Sequence, residues 1–284
     1  MKILITGSRG QLGFDLLRVG ANRSLALCGV DRDTLDITKA QAVQKFVNEQ
    51  QPDAIIHCAA YTAVDHAEVD RKTCWEVNVD GTKYLAQAAR SVGAKFMYIS
   101  TDYVFDGEGV TPFLETASPN PIGYYGMTKH EGEKVVQSTL ADWFIVRISW
   151  VFGINGHNFV KTMLNLATTR DSVNVVADQI GSPTYTFDLA NLLLEMIQTD
   201  KFGIYHATNA GFVSWQGFAT EVFQQAGKRI TVNGISTAEY ETKAPRPKNS
   251  QMSKQKLIDA GFTPLPAWQD AVSRYLKELS NEVQ

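Results

Sequence analysis

The sequence predicts an α/β fold built on a doubly wound parallel sheet, with a smaller mixed portion at its C-terminal end. In the first half of the 284 residues, short apolar runs alternate with amphipathic stretches, a pattern typical of strands and helices that cover both faces of one sheet. A glycine-rich turn joins the first apolar run to the first amphipathic stretch. Beyond Trp150 the alternation becomes irregular. We therefore predict a Rossmann-type domain over residues 1–149 and a second, substrate-binding portion over residues 150–284.

The individual elements are predicted in order from these patterns. Apolar runs that end at polar or hydroxyl residues indicate strands buried inside a sheet. In the first half these runs are Met1–Thr6, Leu25–Val30, Ala54–Cys58, Phe96–Ser100 and Asp142–Ile148, and one helix is predicted through Trp75, Val79, Leu85 and Ala88. The second half is predicted to contain a helix near Asn158–Thr168, a strand at Val173–Val176 and a further segment at Gly203–Ala207.

The turn after the first strand carries Gly7, Gly10 and Gly13. These glycines permit a tight turn, a close approach of the backbone to a pyrophosphate, and close packing of the next helix on the sheet. The phosphates are expected at the amides of the helix N-terminus. The second predicted strand ends at Asp31, at the distance expected of a carboxylate that binds the adenosine ribose. The sequence therefore predicts a nicotinamide dinucleotide site.

Charged residues beside this turn bear on which dinucleotide binds. The carboxylate of Asp31 repels a 2′-phosphate, whereas Arg9 and Arg32 attract one. We therefore expect both NADPH and NADH to serve as the cofactor.

A second motif consists of Tyr125 and Lys129, whose spacing of four places them on one face of a helix. The ammonium group is expected to favour the tyrosinate and so to lower the pKa of a phenol that ordinarily titrates near pH ~10. Tyr124 cannot fill this role, because the residue four positions later is the uncharged Thr128. The predicted strand Phe96–Ser100 stops at hydroxyl residues, and Thr101 follows it at the sheet edge where ligands bind. Thr101 is thus predicted to hydrogen-bond a substrate carbonyl that Tyr125 protonates.

The wide glycine spacing and the Thr101, Tyr125 and Lys129 set resemble the extended short-chain dehydrogenase/reductase superfamily. Six further stretches resemble the dTDP-4-dehydrorhamnose reductase family over nearly the whole chain. These are His57–Asp65, Ser100–Phe105, Arg147–Gly153, Asn158–Met163, Asp178–Thr184 and Arg246–Ser250. The resemblance implies an oxidoreductase of dTDP-L-rhamnose synthesis that reduces the C4 ketone of dTDP-4-dehydro-L-rhamnose with NAD(P)H. It also implies that parts of the second half return to the first domain.

The resemblance assigns roles to individual residues. It implies a dinucleotide surrounded by Gly10, Gln11, Leu12, Asp31, Asp36, Ile37, Ala60, Tyr61 and Thr62, with Tyr125 and Lys129 shared between cofactor and chemistry. It places Thr101, Asp102 and Trp150 at the substrate. Arg246 lies in a proline-interrupted basic loop that by itself indicates a solvated turn. With the resemblance, Arg246 becomes a candidate to support the nucleotide-sugar pocket, since a guanidinium pairs well with phosphate.

Two other functions remain open on the sequence. A nucleotide-sugar epimerase or dehydratase would share the fold, but dehydratases of this superfamily typically carry glutamate where this chain has Tyr103. A non-catalytic regulatory subunit is the third possibility, because a relative of the family is a regulatory partner of methionine adenosyltransferase. The intact set of Thr101, Tyr125 and Lys129 argues against that role.

The resemblance also raises the question of a metal. Some family members dimerise through a magnesium site built from acidic side chains, and Asp15 and Asp188 match such positions. We interpret both as carboxylates on helix surfaces and predict no metal. A homodimer remains open.

Composition limits the partners and the location. A net charge of −3 gives no electrostatic reason to expect nucleic acid or an anionic membrane as a partner. The first apolar run leads directly into the glycine turn, so we expect neither a signal peptide nor a membrane span, and a cytoplasmic protein. Cys28, Cys58 and Cys74 lack C-x-x-C spacing and are expected to be reduced core thiols. The five histidines show no metal-ligand spacing.

Overall fold

The computed structural model describes residues 1–282 and has a parallel sheet at its centre. The strands of this sheet are β1 (Lys2–Thr6), β2 (Ala26–Val30), β3 (Ala54–His57), β4 (Lys95–Thr101), β5 (Trp143–Ile148) and β10 (Gly203–His206). Within the described residues the sheet has six strands in the order β2-β1-β3-β4-β5-β10, and every neighbouring pair is parallel. The predicted doubly wound sheet is confirmed.

Helices cover both faces of the sheet. Successive strand residues point to opposite sides and therefore pack under different helices. The helices are α1 (Gln11–Gly20), α2 (Ala40–Gln50), α3 (Val64–Ala67), α4 (Arg71–Trp75), α5 (Thr82–Val92), α6 (Tyr124–Thr139), α7 (Phe159–Leu166), α8 (Thr186–Met196), α9 (Trp215–Gln225), α10 (Gln255–Asp259) and α11 (Trp268–Glu282). Ile3 and Ile5 of β1 belong to the core beneath α1 and α8. Leu4 between them belongs to the core beneath α2, α5 and α6.

The second half adds short strands beside the main sheet. They are β6 (Val151–Phe152), β7 (Ser172–Val176), β8 (Ile180–Gly181), β9 (Thr184–Tyr185), β11 (Val213–Ser214), β12 (Thr231–Ile235) and β13 (Asn249–Ser250). They pair as β11-β8-β13, β12-β7 and β6-β9. Although β10 and α8 also follow residue 150, β10 pairs with β5 and α8 packs against α1. The chain therefore returns to the first core after it has begun the second portion.

The helix predicted through Trp75 and Ala88 is not continuous. A π-helical turn, Glu76–Gly81, lies between α4 and α5. Its Asn78 is 1% exposed and accepts the backbone N–H of Tyr61 at 2.8 Å, while its amide donates to Thr128 Oγ1 at 3.0 Å. Turns of this kind are frequent at functional sites. Here the turn ties the loop after β3 to helix α6.

The three cysteines were expected to be reduced thiols in the core. Among the described residues the cysteines are free; Cys74 is buried, whereas Cys28 and Cys58 are only half-buried. No helix within residues 1–282 combines the length and apolar character that a membrane crossing requires.

Candidate active site

The glycine turn lies where the strand order of the main sheet reverses, because β1 stands between β2 and β3. Loops that leave adjacent strands at such a point separate and form a crevice for ligands. Gly7 has φ +70°, and a Cβ there would lie 2.7 Å from the amide nitrogen of Ala59. The turn therefore packs directly against the loop after β3, and only glycine fits at this position.

Helix α1 begins immediately after the turn, with Gly10 as its N-cap. A Cβ on Gly13 would lie 2.2 Å from the carbonyl oxygen of Gly7, so the helix start packs tightly on the turn. Among residues 1–282 no side chain caps the first turn of this helix. Its first amides, at Gln11 and Leu12, thus suit the phosphate oxygens of a dinucleotide. The residues at this crevice fit the predicted cofactor.

Asp31 follows β2 beside the turn, and its carboxylate pairs with Arg9 Nε at 2.6 Å. It also accepts the backbone N–H groups of Asp33 and Thr34 at 3.0 and 3.2 Å. Partial burial opposes ionisation, but the hydrogen bonds from Thr34 and Asp33 and the charge of Arg9 lower the pKa of Asp31. Arg9 is thus held at the carboxylate that was predicted to face the ribose. The Asp31 carboxylate, expected to repel a 2′-phosphate, is therefore in contact with the Arg9 guanidinium, which was expected to attract one.

The other residues assigned to the cofactor lie in the loops after β2 and β3. Asp36 accepts hydrogen bonds from the amide and hydroxyl of Thr38 at 3.0 and 2.7 Å, and Ile37 is buried in the core. Ala60 and Tyr61 are half-buried and Thr62 is exposed. These three residues directly follow the contact between Ala59 and the glycine turn.

Tyr125 and Lys129 lie in the first turns of α6 and are 9% and 2% exposed. The ammonium of Lys129 donates to the carbonyl oxygen of Ile99 at 2.7 Å and lies 4.0 Å from the centre of the Tyr98 ring. Burial lowers the pKa of Lys129 to about 7, although the charge of Glu133 opposes this shift. The helical spacing is as predicted, but the ammonium is bound to strand β4.

The pKa of Tyr125 differs from the expectation. Burial raises it above its ordinary value, and the nearby charge of Asp102 adds to the rise, while a hydrogen bond with Thr101 opposes it. The expected lowering by Lys129 is wrong for this structure, because that ammonium is directed to Ile99. Tyr125 is therefore a protonated phenol at neutral pH.

Thr101 and Asp102 end strand β4 next to Tyr125. Both are buried, and the Thr101 hydroxyl donates to Asp102 Oδ1 at 3.0 Å. Burial raises the pKa of Asp102 to about 6, even though the hydroxyl groups of Ser250 and Thr101 hydrogen-bond the carboxylate. The predicted hydroxyl and phenol are thus brought together at the carboxyl edge of the sheet.

A cavity of about 200 Å³ opens beside these residues. Trp150, which the resemblance assigns to the substrate, lines this cavity, and its backbone is in the left-handed region with φ 49°. Such a conformation costs a non-glycine residue about 1–3 kcal/mol and is concentrated at functional sites. Sequence reasoning did not assign the other lining residues, which are Tyr103, Gln179, Trp215, Pro247 and Ser250. All of these except Trp215 lie in stretches that carried the resemblance; Trp215 had no such signal.

Arg246 is placed near the cavity by two contacts. Its guanidinium donates to the Tyr103 hydroxyl at 3.2 Å and to Asp65 Oδ2 at 2.6 Å. The Tyr103 ring lies edge-on to the Tyr125 ring, with 5.6 Å between the ring centres. Arg246 is thus linked to the Tyr125 phenol through one aromatic residue, and the basic loop is not simply a solvated turn.

The interpretation of Asp15 and Asp188 as surface carboxylates is wrong. Asp15 is fully buried and pairs with Arg18 at 2.7 Å, and Thr186 hydrogen-bonds the same carboxylate. Asp188 is 8% exposed and accepts two hydrogen bonds from Arg274, at 2.5 and 2.7 Å. Arginine neutralises both carboxylates. Across residues 1–282, no group of three or more His, Cys, Asp or Glu side chains is arranged to hold a metal ion.

The chain is similar in sequence and in structure to known proteins. The family profile described as the RmlD substrate binding domain matches residues 1–281. The chain belongs to the RmlD family. A dTDP-4-dehydrorhamnose reductase from Aggregatibacter actinomycetemcomitans is 40% identical, covering 95% of this chain and 97% of the relative.

Two solved dTDP-4-dehydrorhamnose reductases share the whole fold. The dTDP-4-dehydrorhamnose reductase from Clostridium acetobutylicum superposes with a TM-score of 0.97 at 42% identity, covering 99% of this chain and 100% of its own. The enzyme from Bacillus anthracis, solved in complex with NADP, gives a TM-score of 0.95 at 42% identity, covering 98% and 99%.

Proposed function

We propose that this protein is an NAD(P)H-dependent reductase that converts the C4 ketone of dTDP-4-dehydro-L-rhamnose to the alcohol of dTDP-L-rhamnose. The observation that carries the proposal is the meeting of Thr101 and Tyr125 at the carboxyl edge of the sheet. The ring of Tyr103, which lines the cavity at Trp150, lies edge-on to the ring of Tyr125. The RmlD-family relatives named as reductases of this sugar nucleotide, and the relative solved with NADP, support the same assignment.

A dinucleotide held at the glycine turn would supply the hydride that reduces the carbonyl carbon. Tyr125 supplies the proton to the carbonyl oxygen, since its raised pKa keeps the phenol protonated at neutral pH. Thr101 orients the carbonyl by exchanging its hydrogen bond to Asp102 for one to the substrate. Lys129 lies one helical turn from Tyr125 and would hold the ribose of a bound dinucleotide.

We assign residues 1–149 to cofactor binding and residues 150–284 to the portion that contributes substrate contacts. Trp150 and Arg246 support this division because both lie at or beside the cavity. The structural core is divided differently, since β10 and α8 pack with the first unit. The functional boundary therefore concerns ligand contacts and not independent folding.

Elimination, the chemistry of a dehydratase, is the alternative to reduction at this site. Where dehydratases of the superfamily carry a glutamate, this chain has Tyr103. Burial raises the pKa of Tyr103 to about 12, against the opposing charge of Arg246, and its hydroxyl accepts a hydrogen bond from that guanidinium. A neutral phenol is a poor base for removing a sugar proton. The site therefore favours reduction.

The test is NADPH oxidation by the purified protein in the presence of dTDP-4-dehydro-L-rhamnose, with dTDP-L-rhamnose identified as the product. We expect oxidation only when the keto sugar nucleotide is present. Tyr124→Phe is the matched control for Tyr125→Phe, because Tyr124 is adjacent in sequence and half-buried. Loss of activity in both variants, or in neither, would contradict the assignment of Tyr125.

A further inference from the structure

The small sheet β11-β8-β13 brings distant parts of the chain to the cavity. Its central strand β8 pairs antiparallel with β11 and parallel with β13. Gln179 precedes β8, Trp215 follows β11, and Ser250 ends β13, and all three line the cavity. Tyr103, which follows strand β4 of the main sheet, lines the same cavity. The sheet therefore forms one wall of the site.

The indole of Trp150 is held at this wall from two sides. Trp215 stacks on it with 3.6 Å between ring centres and an angle of 12° between the ring planes. On Gly181, a Cβ would lie 2.7 Å from Trp150 Cε2, so the indole packs directly on the backbone of β8. Trp150 also accepts the backbone N–H of Thr184 at 3.1 Å through its carbonyl oxygen. Together these contacts support a residue whose φ is unfavourable for a side chain with a Cβ.

Trp215 is itself well fixed. It is the first residue of α9, where the Ser214 hydroxyl caps the helix by accepting the N–H of Gly217 at 3.0 Å. The ring of Phe159 also packs against it, with 4.6 Å between ring centres and an angle of 50° between the ring planes. The position of Trp215 is thus fixed by contacts within the protein. It is suited to hold a neighbouring ring in place.

We propose that Trp215 is a positioning residue that holds the Trp150 indole as the preformed apolar wall of the sugar-nucleotide pocket. The inference rests on the proposed function and deepens it, because it identifies what determines affinity for the sugar nucleotide. A preformed wall lowers the cost of ordering side chains when substrate binds. An aromatic plane also excludes water from the reacting carbonyl. Removal of the stacking partner therefore weakens sugar-nucleotide binding and leaves the dinucleotide crevice unchanged.

The test compares Trp215→Leu and Trp215→Phe with Trp268→Leu. Trp268 is a suitable control because it is 5% exposed, belongs to the same aromatic cluster and does not line the cavity. For each protein we measure KM for dTDP-4-dehydro-L-rhamnose, the dissociation constants of dTDP-L-rhamnose and NADPH, the melting temperature, and the circular dichroism couplet of stacked indoles.

For Trp215→Leu we expect loss of the couplet and about a tenfold rise in both sugar-nucleotide constants, equivalent to about 1.4 kcal/mol. NADPH affinity should stay within about twofold of wild type. Trp215→Phe keeps an aromatic plane and should recover most of the sugar-nucleotide affinity. Trp268→Leu should lower the melting temperature while the sugar-nucleotide constants and the couplet are retained.

Equal effects of the Trp215 and Trp268 variants on sugar-nucleotide affinity would overturn the inference, since both residues would then be acting through stability alone. A parallel loss of NADPH affinity in Trp215→Leu would also overturn it. A wild-type protein that fails to oxidise NADPH with this substrate refutes the proposed function instead. In that case, dTDP-L-rhamnose binding by Trp215→Leu and Trp268→Leu still decides whether Trp215 positions the wall.

Discussion

The ion pair between Glu133 and Arg147 allows a quantitative prediction about helix α6. Both side chains are 1% exposed, and the guanidinium donates to the two carboxylate oxygens at 2.8 and 2.7 Å. Ser100 donates to the same carboxylate at 2.6 Å from strand β4. Glu133→Gln keeps the shape but leaves the arginine charge buried without its counter-ion. Breaking a buried pair in this way costs about 3–5 kcal/mol.

The same change should alter the chemistry of the site. Glu133 lies one helical turn after Lys129 and raises the pKa of that ammonium, which burial otherwise lowers to about 7. Without the carboxylate the pKa of Lys129 falls further, so the cation is lost at a lower pH. We therefore expect the alkaline limb of the activity profile to move to lower pH in Glu133→Gln.

The assay is urea unfolding of Glu133→Gln, Arg147→Met and the double variant. The double variant should recover much of the lost free energy of unfolding, because it removes both buried charges. Glu131→Gln is the matched control on the same helix. Its partner is the exposed Lys134 at 2.7 Å, so the expected loss is below about 1 kcal/mol. A loss below about 1 kcal/mol for Glu133→Gln, or a double variant no more stable than the single variants, would refute the reasoning.

Acid unfolding gives an independent check of the same pair. Burial alone would raise the pKa of Glu133, but hydrogen bonds and charge from Arg147 outweigh it and lower the pKa to about 2. Because the folded-state pKa lies below the unfolded value near ~4.3, the stabilisation is fully present above that value. It is lost as pH falls towards about 2. Glu133→Gln should lack this part of the pH dependence.

Three further predictions concern the cofactor, the proton and the metal. Tyr125→Phe should lose about 10²–10⁴-fold in kcat and keep its NADPH dissociation constant, because only the phenolic proton is removed; near wild-type turnover would contradict it. Asp31→Ala should improve NADPH relative to NADH by about fourfold, the effect of one charge at ~5 Å in water; an unchanged ratio of kcat/KM values would show that Asp31 does not face the ribose. EDTA should leave the melting temperature unchanged, because Arg18 already pairs with the Asp15 carboxylate; a fall of several degrees would indicate a bound divalent cation.

The sequence was sufficient for the elements that have a strong local pattern. The strand predicted at Met1–Thr6 is β1 at Lys2–Thr6, and the helix expected near Asn158–Thr168 is α7. Asn158 caps α7 by accepting the N–H of Lys161 at 3.0 Å. Buried strands read as apolar runs and capped helices begin at polar residues, so both signals lie within a few residues of the element.

The residues that escaped prediction depend on contacts between distant segments. Strands β8, β11 and β13 have two residues each, too few to show a periodic pattern, so Trp215 gave no sign of lining the cavity. Asp15 is buried because α8 packs against α1, and Thr186, 171 positions away, hydrogen-bonds its carboxylate. The π-turn is equally hidden, since helical periodicity does not reveal one inserted residue.

The protonation of Tyr125 and Lys129 depends on how deeply they are buried and on which group the Lys129 ammonium contacts. Their spacing in the sequence specifies neither. Helical spacing correctly places both on one face, but the ammonium of Lys129 is bound to Ile99. Burial and the charge of Asp102 then dominate the phenol and raise its pKa. Reduction of a ketone requires a group that arrives protonated and gives up its proton as negative charge develops on the carbonyl oxygen. A phenol with a raised pKa meets the first requirement. In the proposed reaction, the negative charge that develops on the carbonyl oxygen provides the driving force for the second.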